Sequence, residues 1–319
     1  MASRYDKPFR SDDDLLDILQ RRGLAVADRT NAIQLLGTVG YHQLRGYLYP
    51  MRRIVPAANG PQRSHQFLPG ASIELVADLY RFDRGLRLLC LDALERIERA
   101  VKTTVAQAVG RRDAFAHHTG ALHDPSYLKP RQGYRVSAHE RWRITHEQKV
   151  LGRKHDSIDG FRAQYGYPLP IWVAVDAMDF GDVSRLIEQL RASVKTEMAQ
   201  RFGIRRGIDF TSWVRCMSFV RNVSAHHDRL WNRELAVIPS MPTGRALELL
   251  GSFPVDPRIR ARCYVSLLIV GYLVAIISPD DDWGRRMVAH LWTLPVGPGI
   301  DFVSLGAPTN WFENRLWRR

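Results

Sequence analysis

The sequence predicts an all-α fold. Apolar residues recur at three- and four-residue steps from Ile73 to about Val109, the pattern of one long amphipathic helix. Capping residues stand ahead of several apolar-periodic runs, as Ser11 does before Leu15, Leu16, Ile18 and Leu19. No clear run of period two is present, so no strand is expected. The reading is one helical domain over residues 1–319, with a basic insertion at about 110–160 and an aromatic tail at about 294–319.

The first helix begins after Ser11, with Asp12, Asp13 and Asp14 complementing its positive end. A second, through Ile33, Leu35 and Leu36, comes after the polar break at Asp28-Arg29-Thr30-Asn31 and stops at Gly40. Tyr41 to Pro50 reads as a turn packed on the core. Val55 to Gly70 reads as a loop because Pro56, Gly60, Pro61, Pro69 and Gly70 interrupt it. Ser72 caps the long helix, where Glu95 with Arg99 and Glu98 with Lys102 form i,i+4 pairs.

The stretch 110–160 is rich in Arg, Lys and histidine (His117, His118, His123, His139, His146, His155) and poor in aliphatic residues. It is expected to be a solvated insertion or an RNA-facing excursion. Beyond it, Pro168 and Pro170 start a helix through Val175 and Met178. Phe180 to Ser184 forms a turn that caps a helix from Leu186 to about Leu190. Further helices run from Thr211 to about Trp231 and from Asp256 past Ile277. In the tail, Trp311, Phe312, Leu316 and Trp317 are expected to fold back onto the bundle.

Charge narrows the class of partner. Lys plus Arg number 46 against 33 Asp plus Glu, a formal +13 made mostly of arginine, which suits phosphate contacts and stacking on bases. Cys90, Cys216 and Cys263 are far apart in apolar surroundings and read as core thiols, as in a reducing cytoplasm. The N-terminus has no apolar signal segment. Tyr264 to Ser278 is shorter than the roughly 20 residues that cross a bilayer, so a buried helix and no membrane partner are expected. No HExxH or Cys/His spacing suggests a metal, and no cofactor is expected.

The segment with chemistry in it is Arg221-Asn222-Val223-Ser224-Ala225-His226. On an ideal helix, with Arg221 at zero, Asn222 falls at roughly 100°, His226 at 140°, Arg229 at 80° and Arg233 at 120°. Trp213, Cys216, Val220, Val223, Leu230 and Trp231 fall on the opposite side, and His227 lies near that core side. Such a face could cleave RNA through its own 2′-hydroxyl. Histidine moves the proton near neutrality, and arginine stabilises the charge that develops on phosphorus. Arg229, Arg233 and His227, with Arg141, Arg143, Lys149 and Arg153 of the insertion, are the candidates for RNA contact. The spacing alone is common, since Arg112/His117, Arg141/His146 and Arg285/His290 repeat it; only Arg221 is followed by Asn on a strongly amphipathic helix.

Phe219 to Arg233 resembles the signature of the Abi family of phage-resistance proteins, within the HEPN superfamily of helical ribonucleases. Gly40-Tyr41-His42-Gln43-Leu44-Arg45-Gly46-Tyr47 is similar to the family's N-terminal element, and Ile73 to Val109 to its long helix. Pro170-Ile171-Trp172 and Phe180-Gly181-Asp182-Val183-Ser184 resemble its paired motifs. The resemblance implies a HEPN-like helical bundle that pairs two copies, bringing two Arg-Asn…His segments into one cleft. By position, Arg221 and His226 would be catalytic and Asn222 would orient them. The implied partners are RNA (tRNA or another cellular or phage RNA), a second copy of the chain and an antitoxin. A module that binds RNA or protein without cutting is the alternative.

Overall fold

The computed structural model describes residues 8–57, 60–152, 156–251 and 253–318. Helices α1 (Asp12–Arg21), α2 (Arg29–Val39) and α3 (Tyr41–Leu48) lead into an antiparallel hairpin, β1 (Arg52–Val55) and β2 (Gln62–Phe67). The central α4 (Ile73–Gly110) comes next, then four helices of the insertion: α5 (Ala116–Thr119), α6 (Pro125–Leu128), α7 (Ala138–Gly152) and α8 (Asp156–Tyr165). After them stand α9 (Ile171–Ala177), α10 (Phe180–Gln189), α11 (Ala192–Arg201) and α12 (Gly207–Ala225). The last part holds α13 (Arg245–Leu250), α14 (Pro257–Arg260), α15 (Cys263–Ile277), α16 (Trp283–Leu291) and α17 (Phe302–Leu305). The fold is predominantly α, as the sequence predicts.

The 38 residues of α4 make a rod about 57 Å long. Ser72 caps it by accepting a hydrogen bond from the Leu75 amide, and α3, α9, α10, α11, α12, α15 and α16 all pack against it. Helix α15 is apolar all round because it is buried all round, from Cys263 to Val274. Among the described residues, no helix is long and apolar enough to cross a membrane. The three cysteine thiols are buried and pushed well above their ordinary pKa by that burial, as core thiols should be. Trp311, Leu316 and Trp317 do fold back into the core, while Phe312 stays partly exposed.

Four expectations need correction. Tyr41–Leu48 is a helix, because Gly40 at φ +85° ends α2 and restarts the chain as α3 at once. Residues 52–67 form a hairpin rather than a loop. Its strands are largely charged and polar, and Arg63 Nη1 donates to the carbonyls of Pro50 and Arg52. No apolar alternation announces them, although Asn59-Gly60 between them is a hairpin signal. Helix α10 begins at Phe180 rather than Leu186, since Asp179 and Asp182 form a reciprocal capping box ahead of it. Asp256 onward is two helices, α14 and α15, with Arg262 between them as the N-cap of α15.

The insertion is the largest revision. Its helices carry a core built from histidines: His117, His123, His139 and His146 are all buried. His139 Nε2 lies 2.9 Å from the His117 carbonyl, His123 and His139 pack edge to face, and His146 stacks on Trp142. A neutral imidazole buries like a flat aromatic ring, so histidine replaces the missing aliphatics. Trp142 Nε1 donates to the Asp182 carbonyl, and Lys149 Nζ donates to Asp179 and Asp182 at 2.6 Å each. Those bonds dock α7 on the N-terminus of α10. His155 and Arg153 lie outside the described residues.

Candidate active site at the end of α12

Helix α12 presents the predicted motif but ends earlier than expected. Arg221 and Asn222 lie in its last turn, His226 is the C-cap, and His227 takes the left-handed conformation at φ +62°. The His227 amide donates to the Ser224 carbonyl and the Asp228 amide to the Val223 carbonyl, which is the paired closure of a Schellman motif. The helical angles assigned to Arg229 and Arg233 therefore do not apply. The expected stop signal, glycine, is missing from the sequence, and histidine occupies the position glycine favours. His227 is exposed and does not face the core.

Non-glycine residues at positive φ cost about 1–3 kcal/mol and gather at functional sites. His227→Gly is expected to stabilise the protein by about 1 kcal/mol, raising Tm by about 2 °C. Thermal unfolding by circular dichroism would read this; a lower Tm would mean that the imidazole makes contacts worth more than the strain.

Beyond His227, the chain is held by a buried carboxylate. Asp83 sits on the core face of α4, fully inaccessible, where it accepts hydrogen bonds from the amides of Leu230 and Trp231. It also accepts from Tyr47 Oη at 2.6 Å and pairs with Arg87 Nη1. Burial pushes the Asp83 carboxyl up, opposed first by the Arg87 guanidinium and then by these donors. Gly46 completes the joint. A Cβ there would lie 3.1 Å from Arg229 Cδ, and its carbonyl accepts from Arg229 Nη1 at 2.6 Å. The Gly46-Tyr47 element thus clasps the loop after the motif. Asp83 and Arg87 were detectable in the sequence: they occupy core-stripe positions among Leu79, Leu86 and Cys90 and are i,i+4 partners.

The candidate residues differ in how far the fold engages them. Arg221 is half-buried, with Nε 3.5 Å from Glu98 Oε2 and Nη1 3.4 Å from Asn222 Oδ1. Asn222 and His226 are exposed, and the His226 side chain makes no hydrogen bond among the described residues. Arg229, Arg143 and Lys149 are engaged within the fold: Arg229 with Gly46, Arg143 with Glu147, Lys149 with Asp179 and Asp182. Arg233 contacts Asp228 and lies over the Phe219 ring, whereas Arg141 is exposed over Tyr134.

Adjacent residues of the motif face different grooves. Arg221 lines one of about 730 Å³ along α4, with Glu98, Lys102 and the exposed Trp172. Asn222 lines another of about 370 Å³ between α10 and α12, beside Ser184 and Arg215. Helix α12 is the ridge between them.

The four Arg/His pairs of equal spacing separate by exposure. His117 is 3% exposed, His146 2%, and His290 is stacked on Phe82 with Nε2 2.8 Å from its carbonyl. Of the four histidines, His226 is the exposed one, His290 being half-buried and the other two buried. Among the described residues, no group of three or more His, Cys, Asp or Glu side chains is placed to hold a metal ion.

No curated protein and no solved structure matches this chain. A family model described as Abi-like protein matches residues 34–232, well over half its length. The match takes in the Gly46-Tyr47 clasp, all of α4, the capping box of α10 and the motif at the end of α12, stopping just past Trp231. By that match, the chain belongs to the family of Abi-like proteins.

Proposed function

We propose that the protein is a metal-independent RNA endonuclease of the abortive-infection, phage-defence type, with the HEPN arrangement of paired helical bundles. In this reading His226 moves the proton at the 2′-hydroxyl or at the leaving 5′-oxygen. Arg221 stabilises the charge that builds on the phosphorane, and Asn222, whose Oδ1 accepts from Arg221 Nη1 at 3.4 Å, orients the catalytic groups. Two copies meeting at the exposed ends of their α12 helices would supply an acid and a base from two His226 side chains. The observation carrying this proposal is the selective exposure of His226 among four identically spaced pairs, on a helix end fixed by buried Asp83.

The backbone that carries His226 is anchored, since the Schellman closure and the strained His227 beside it hold the end of α12. The half-satisfied Arg221, 3.5 Å from Glu98, is able to turn to a phosphate without leaving a fully buried charge behind.

The test is incubation of the full-length protein with tRNA and total RNA in excess EDTA. Products ending in 2′,3′-cyclic phosphate and 5′-hydroxyl are expected, since those are the products of 2′-hydroxyl attack. Tight RNA binding without any cleavage would instead favour a binding module.

A further inference from the structure

The solvent faces of α10 and α12 form the walls of a trough that starts at Asn222. Gly181, Arg185 and Glu188 line it from α10 and Arg215 and Asn222 from α12, with the buried Ser184 and Ser218 between the two helices. Small residues allow the approach: a Cβ on Gly181 would lie 3.7 Å from Ser218 Oγ. This hollow shares Arg185 and Glu188 with one of about 470 Å³ bounded by Tyr127, Arg131 and Arg141. It shares Glu188 and Arg215 with another of about 450 Å³ that reaches Lys195 and Ile208. From Ile208 to Asn222 the trough runs along α12 for about 21 Å.

Its charge is one-sided. Arg131, Arg141 and Arg215 are exposed and have no carboxylate partner among the described residues. Arg131 lies over the Tyr127 ring and Arg141 over the Tyr134 ring, 4.3 Å from its centroid. Arginine layered on tyrosine gives flat cationic platforms on which bases stack. The groove on the other side of α12 is mixed, with Glu95, Glu98 and Asp176 offsetting Arg99, Lys102 and Arg221. A polyanion therefore favours the α10 side. Hollows of a few hundred Å³ fit separate unstacked nucleotides, whereas a duplex presents its phosphates on a broad convex surface.

Two carboxylates line the trough: Asp182 is buried and paired with Lys149 and Arg185, and the other is Glu188. It borders all three hollows and has no ion-pair partner among the described residues. A phosphate is repelled there, but a base amino group donates to a carboxylate, as cytosine N4 does.

We propose that this trough is the track of a single-stranded RNA segment leading away from Asn222, with Glu188 contacting a base amino group. The proposal rests on the nuclease reading only for what happens at His226; the binding itself requires no cleavage. Fluorescence anisotropy with 5′-fluorescein C12 and U12 RNA tests it, using His226→Ala protein to prevent turnover. Replacing Arg131, Arg141 and Arg215 together by Ala is expected to weaken C12 binding at least tenfold. It should also lower the slope of log K against log salt by about 2. A control triple at Arg10, Arg81 and Arg258, removing equal charge elsewhere, should keep binding within twofold. C12 should bind more tightly than U12, with the preference lost in Glu188→Ala.

Equal losses in the two triples would overturn the track. So would equal affinity for a hairpin duplex, or for a poly-glutamate peptide of the same charge. Cleavage by an otherwise wild-type Arg131/Arg141/Arg215 triple separates the two ideas. Undiminished cleavage removes the track and leaves the nuclease. Lost C12 binding in a protein that never cuts removes the nuclease and leaves the track.

Discussion

Asp83→Ala is expected to leave the protein largely unfolded at 37 °C, the greatest loss from any single substitution in the joint behind the motif. The methyl group cannot accept the bonds that Tyr47, Arg87, Leu230 and Trp231 donate to the carboxylate. Arg87, itself buried, would be left as an uncompensated cation. Removing one partner of a buried ion pair costs about 3–5 kcal/mol. That is a large part of the 5–15 kcal/mol or so by which a typical domain is stable. Adding Arg87→Met should return part of the loss, because it removes the stranded charge. Urea unfolding of the wild-type, single and double variants measures this; a loss below about 1 kcal/mol in Asp83→Ala would show that the joint is not held as described.

Acid is expected to unfold the insertion through its histidine core. Burial, reinforced by neighbouring imidazoles, lowers His117 and His123 from the ordinary 6.5 to about 3. Burial also lowers His146 to about 4, against the pull of Asp182 in the other direction. Among the described residues, neither ring nitrogen of His123 has a hydrogen-bond partner, and Nδ1 of both His117 and His146 lacks one. No carboxylate among them is bonded to these three rings to welcome a proton.

A histidine whose folded pKa lies below its unfolded value binds fewer protons when folded. Its contribution is fully present above about pH 6.5 and is lost as pH falls toward 3–4. Each such group loses about 1.4 kcal/mol per pH unit in that window, so three together lose about 4. The Tm should therefore drop by about 8 °C per pH unit below 6. His146→Phe, which keeps a ring stacked on Trp142, should reduce that slope by about a third. A Tm that stays flat between pH 7 and pH 5 would contradict the assignment of these rings as neutral core.

The long rod α4 was legible because its apolar stripe persists for about ten turns behind a serine cap, and no tertiary contact had to be known. The return of the C-terminal tail to the core was legible for a similar reason: large aromatics in a loop have nowhere else to go. The end of α12 was not. Leu230 and Trp231 continue the helical period of the apolar face and are indeed buried, but Asp83 holds them there through their backbone amides rather than through helix. Nothing local in the sequence marks that long-range bond.

The insertion misled for a different reason. Histidine carries no fixed charge, and only burial decides whether it acts as a solvated base or a neutral ring. Its basic neighbours suggested the first, and the packing of His117, His123, His139 and His146 produced the second. The site showed a mixture of both outcomes. The candidates Arg221, Asn222 and His226 rest on the sequence pattern, while the residues packed behind them, Gly46, Tyr47, Asp83 and Glu98, come from two distant helices that only the fold brings together. Exposure, which sets His226 apart from His117, His146 and His290, is a property of the packed chain.

The exposed histidine at the end of α12 carries the whole nuclease proposal. Cleavage of tRNA in EDTA by wild-type, His226→Ala and Arg221→Ala proteins, all with matched thermal unfolding, addresses it most directly. Each variant is expected to lose at least about a hundredfold in rate while still binding RNA, as removal of a proton-transfer group or a charge-stabilising donor does. Cleavage at the wild-type rate in both variants would contradict the placement of the active site at Arg221 and His226.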